Sequence, residues 1–91
     1  MARQIFRVDA WIIDANGAYH PIDGYPKNFD SNNYSSAQNP IDTAQRRAEG
    51  DFSAVWADMC TKDTRQIQTV TLSSITGTQL DRKTTGQFVQ N

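Results

Sequence analysis

The sequence predicts an α+β fold in the order β-β-α-β-β, with a four-stranded antiparallel sheet of order 2-1-3-4 and one helix packed on one face. Three observations predict it. From Asn39 to Lys62, the residues Ile41, Ala44, Ala48, Phe52, Val55 and Met59 recur every three or four positions, the spacing of one face of an amphipathic helix. The stretches before and after this helix alternate with the period of two that marks strands. Asn16-Gly17 and Ile75-Thr76-Gly77 supply turn chemistry within those stretches, which makes each a hairpin.

Residues 3–22 form the first predicted hairpin. Phe6, Val8, Ala10 and Ile12 share one face of its first strand, and Ile5, Arg7, Asp9, Trp11 and Ile13 share the other. The return strand, Ala18 to Ile22, is short, and Pro21 lacks the N–H that a central strand needs, so an edge position is expected. Residues 23–38 are rich in Gly, Asn and Ser and read as a long loop. Its aromatics, Tyr25, Phe29 and Tyr34, argue that part of it packs, because flexible linkers are poor in such residues.

The helix, 39–62, opens with Asn39 as N-cap and Pro40 at the first helical position, where a missing N–H costs nothing. Asp42 places negative charge in the first turn, and Asp58–Lys62 and Arg47–Asp51 are spaced for weak pairs one turn apart. Residues 65–84 form the second hairpin. In its last strand Leu80 stands alone as a strongly apolar residue, which again suits an edge. A bulge, or burial of both faces, would reconcile the opposite phases of Ile67 and Val70. Residues 85–91 are expected to form a loose tail.

Length and composition bound the function. A chain of 91 residues makes a single domain, 1–91, with one modest core. Nine basic residues against ten acidic ones leave a net charge of −1, so no whole-molecule field favours polyanions or anionic membranes. Cys60 is the single cysteine, which rules out an intrachain disulfide and fits a reducing compartment. The longest purely apolar run, Ala10 to Ile13, is far short of a membrane span, and Met1 to Gln4 is followed by no signal-like apolar stretch. The expectation is a cytoplasmic, unanchored protein.

Catalytic and metal motifs do not emerge. His20 and Cys60 have the chemistry of a base and a nucleophile, but no motif links them. Asp14, Asn16 and Gly17 resemble part of a calcium loop, yet that register puts Ile12 at the first ligand position, so no metal or other cofactor is expected. One helix covers one sheet face, and the face with Ile5, Trp11 and Ile13 needs another cover. Either the Tyr25–Tyr34 loop folds over it, or a second protein does. The leading expectation is therefore a non-enzymatic binding or assembly module whose partner is another protein or a second copy of itself. Its binding residues would be Trp11, Ile13, Tyr25, Phe29, Tyr34, Arg46 and Arg47. The alternative is a nucleic-acid-associated accessory protein using the loop aromatics, Lys27 and the helix arginines. A small enzyme built on His20 and Cys60 comes third.

Overall fold

Strand β1, Ile5–Ile13, is the axis of the computed structural model, which describes residues 3–14, 16–61 and 67–84. Its alternating pattern sends Phe6, Val8 and Ala10 into the core, where each is buried. Along one side β1 pairs antiparallel with β4, Ile67–Ser74, over its full length from Phe6 opposite Ser74 to Ile13 opposite Ile67. The register sets Val8 opposite Leu72 and Ala10 opposite Val70, so the apolar residues of both strands fall on one face.

The other side of β1 is shared. β2, Tyr19–Pro21, pairs with its end at Trp11 to Ile13, and β3, Lys27–Asp30, pairs with its start at Ile5 to Val8. β5, Gln79–Thr84, lies outside β4. The sheet therefore has five strands in the order β2-β1-β4-β5, with β3 beside β2 on β1. The α+β class and the β2-β1-β4-β5 path are as expected, but among the described residues the sheet has five strands and not four, because β3 adds to β1 on the same side as β2. The 23–38 stretch is the main correction: it is not a continuous loop. Lys27–Asp30 is a strand, and Ser31–Tyr34 is a 3₁₀ turn. The physical reason is the vacancy that three-residue β2 leaves along β1. Phe29 fills it opposite Phe6 while Lys27 and Asn28 stay exposed, a pattern too polar to read as a strand.

Helix α1, Pro40–Cys60, forms where the periodicity places it. Asn39 is extended and its side chain accepts a hydrogen bond from the Asp42 amide at 3.2 Å, which satisfies one of the orphan donors of the first turn. Ala44, Ala48, Phe52, Val55 and Met59 are all buried against Phe6, Val8, Ala10, Val70 and Leu72. Small alanines on the helix let it approach the sheet closely, and Phe52 and Met59 fill the remaining space. At the far end Thr61 caps the helix by donating its hydroxyl to the Asp58 carbonyl at 2.7 Å.

The turns follow from local chemistry. Gly17 has φ +83°, a left-handed conformation that favours glycine, and the Asp14 carboxylate accepts from the Asn16 and Ala18 amides at 2.9 and 3.0 Å. Gly77, with φ +96°, turns the second hairpin in the same way. β4 keeps one unshifted register against β1 from Ile67 to Ser74, so no bulge separates Ile67 from Val70; the irregularity of this hairpin lies in the β4–β5 ladder, where Leu72 faces Asp81 and Ser73 faces Gln79. Lys62, Arg65 and the expected tail at 85–91 lie outside the described residues.

Candidate functional site

The helix covers the sheet face that carries Phe6, Val8, Ala10, Val70 and Leu72. Alternation puts Ile5, Arg7, Asp9, Trp11 and Ile13 on the other face, where Asp9 and Thr69 are buried and Trp11 and Ile13 half-buried, while the described helix packs on the opposite side. The register fills that face in rows. Trp11 stands between Pro21 and Thr69, and Thr69 in turn faces Thr84. Asp9 faces Thr71, which faces Arg82, while Arg7 lies between Asn28 and Ser73.

The face has two kinds of surface. At the β2 end, Trp11 and Tyr19 meet edge to face, with ring centroids 6.0 Å apart and planes at 90°, and Ile13 lies directly opposite Tyr19. Tyr19 is 55% exposed although it is one of the larger apolar side chains of the molecule. Toward the β3 end the surface is polar and internally paired. Arg7 Nε donates to Asp9 Oδ2 at 2.8 Å, and Asp9 is only 6% exposed. Arg3 grips Asp30 through Nε, at 3.1 Å to each carboxylate oxygen, and through Nη2. That fork-like contact and the Asn32 amide hold the Asp30 carboxyl below the usual carboxylate range, and Asp30 raises the Arg3 guanidinium.

The loop aromatics are elsewhere. Tyr25, Phe29 and Tyr34 pack on the helix-side core and do not fold over the Trp11 face. The Tyr25 hydroxyl donates to Asp51 Oδ2 at 2.9 Å, and Lys27 reaches the same carboxylate at 3.3 Å while lying 5.0 Å from the Tyr25 ring centre. Burial, and then the hydrogen bond to Asp51, push the Tyr25 phenol up to about 12. Arg47 lies over the Tyr34 ring at 5.8 Å, and Arg46 pairs with Asp42 one turn back at 2.8 Å. Of the residues singled out in the sequence, Trp11 and Ile13 share a surface. Tyr25, Phe29, Tyr34 and Arg47 serve the joint between the helix and the 27–34 segment, and Arg46 lies on the outer helix face.

His20 is tied down locally. Its Nε2 lies 2.8 Å from Asp14 Oδ2, and this contact, followed by the Ala18 amide, lowers the Asp14 carboxyl from its ordinary value. The pair closes the first hairpin. Cys60 is exposed in the last turn of α1. Among the described residues, no three or more His, Cys, Asp or Glu side chains converge as metal ligands, and no helix is long and apolar enough to cross a membrane.

Tyr19, Arg7 and Arg82 belong to the uncovered face and were not singled out by the sequence. Tyr19 lies opposite Ile13, two positions from Trp11, but a two-residue turn at Asn16-Gly17 would set His20 there instead, so the sequence signal pointed to the wrong residue. Arg82 had none, because its row depends on the bulge in β5. No protein-family model, curated protein or solved structure matches this chain.

Proposed function

We propose that the protein is a small, non-enzymatic assembly module that docks a second protein surface on the sheet face left open by the helix. The observation that carries this reading is the Trp11–Tyr19 pair with Ile13, an aromatic cluster set on the face that no described element covers. Large aromatics ringed by polar groups are the usual anchors of protein interfaces. The Arg7–Asp9 and Arg3–Asp30 pairs neutralise most of the surrounding charge, so a second sheet approaches without a large like-charge barrier.

The partner we assign is a second copy of the chain, packed face to face so that the two aromatic clusters share one apolar layer. Sheets stack in this way at a separation of about 10 Å. With Cys60 the single cysteine, a reducing, cytoplasmic setting suits the module. The test is sedimentation velocity on the full chain from micromolar to millimolar concentration, beside Trp11→Ala. A concentration-dependent dimer that Trp11→Ala abolishes, with the fold unchanged by circular dichroism, is the expected result.

A further inference from the structure

The two edges of the sheet are built differently. One edge is broken into three-residue β2 and four-residue β3, with Pro21 in the former, and short interrupted strands are how proteins blunt an edge. The other edge is β5, six residues long and, among the described residues, paired with β4 alone. Its Arg82 amide donates to the carboxylate of the preceding residue, Asp81, at 2.7 Å. A side chain reaches the next amide in this way when that amide points away from the neighbouring strand. The Asp81 carboxylate thus stands where the carbonyl of an added strand would sit.

Beside this edge lies a cleft of about 360 Å³ between α1 and β5. The bulge turns Leu80 toward it, where Leu80 is 46% exposed, and Phe52 and Leu72 form its floor. Glu49 on the helix wall and Asp81 on the strand wall flank the opening. Lys83, the lining cation, lies over the Phe52 ring at 5.5 Å. Two carboxylates against one cation leave the lining net negative, which complements a long cationic side chain.

We propose that the outer edge of β5 accepts an extended segment of another protein as an added strand, with one lysine or arginine of that segment entering the cleft. Main-chain bonds along β5 supply the affinity and the cleft supplies the specificity, the division of labour found wherever peptides add to a sheet edge. The incoming carbonyl displaces the Asp81 carboxylate from the Arg82 amide, and the released carboxylate faces the incoming cation. A second copy is a poor occupant here. The antiparallel register that pairs Asp81 with Lys83 of the other copy sets Arg82 directly against its own equivalent, and like charges so placed repel.

The test is selection of a random dodecapeptide display library on the full chain, followed by titration of the enriched peptides. Enriched peptides should share a lysine or arginine within a β-branched stretch. Arg82→Pro removes the outward amide and leaves β4 its bonds, so binding should fall by about tenfold or more, the worth of a lost main-chain hydrogen bond. Arg82→Ala and Trp11→Ala should bind as the parent does. Should Arg82→Pro fail to fold, Asp81→Lys serves instead, and its selected peptides should turn acidic. Absent enrichment, indifference to charge, equal losses in Arg82→Ala and Arg82→Pro, or full binding by Arg82→Pro each overturn the proposal. Peptides lost in Trp11→Ala but kept in Arg82→Pro would place binding on the open sheet face, which overturns the edge site and leaves the reading of that face standing.

Discussion

The two faces of one sheet differ as sharply as a core differs from an interface, although the same strands supply both. On the helix side Val8 and Val70 are fully buried and meet Phe52 and Met59. On the other side the alternate residues of the same strands are Arg7, Asp9, Trp11, Thr69 and Thr71. A period of two sorts each strand into these two sets, so a substitution one residue along moves from one regime to the other. The helix side is packed with apolar side chains and tolerates little change. The open side combines paired charges, threonines and one aromatic cluster, with Asp9 and Thr69 buried among them.

That contrast has a graded set of consequences. Phe52→Ala should be the most damaging, destabilising the fold by about 3–5 kcal/mol in urea unfolding, because it leaves a cavity beneath the helix. A loss below about 1 kcal/mol would mean that the helix side is not the packed core described. Tyr25→Phe removes the hydrogen bond to Asp51 that ties the 25–34 segment to α1, and should cost about 1 kcal/mol by the same measurement. Arg46→Ala breaks an exposed pair one turn apart on the outer helix face and should change stability by less than about 0.5 kcal/mol.

The pH dependence separates the regions further. Folded Tyr25 titrates at about 12 against an ordinary 10.0, so the folded state holds its phenolic proton more tightly than the unfolded chain does. Its contribution is complete below the ordinary value and is lost as pH rises through the folded one. Alkaline unfolding of the parent, minus that of Tyr25→Phe, should isolate this loss. Asp14 and Asp30 act in the opposite direction, since both are lowered in the folded state. Their contribution is present above the ordinary carboxylate range and disappears as pH falls through the depressed values. Asp14→Asn should flatten part of the acid limb, read by fluorescence along a pH titration.

The helix was legible in the sequence because burial repeats with helical period from Ile41 to Met59 and because Asn39-Pro40 marks its start without ambiguity. The core face of β1 was legible for a similar reason: Phe6, Val8 and Ala10 alternate with Arg7 and Asp9. β3 was not, since Phe29 is its single apolar residue and its existence depends on a vacancy along β1 that no local pattern records. Trp11 and Ile13 were legible as surface because their face is set by alternation alone. The side on which Tyr25 and Tyr34 pack was not, because the period of a strand says nothing about which way a connecting segment crosses the sheet. Arg47 and Lys27 likewise found rings that only the folded chain brings near. Local regularity can be read from a sequence; a choice between two sides of a sheet is made by tertiary packing.

The central claim is that the open face around Trp11 is an interface and not a merely tolerated surface. Sedimentation velocity of the full chain beside Trp11→Ala, with urea unfolding of both, tests it most directly. The expected result is a parent that dimerises with rising concentration, a variant that stays monomeric, and a difference in monomer stability below about 1 kcal/mol. A parent that remains monomeric at every concentration, or a variant that dimerises equally well, would contradict it.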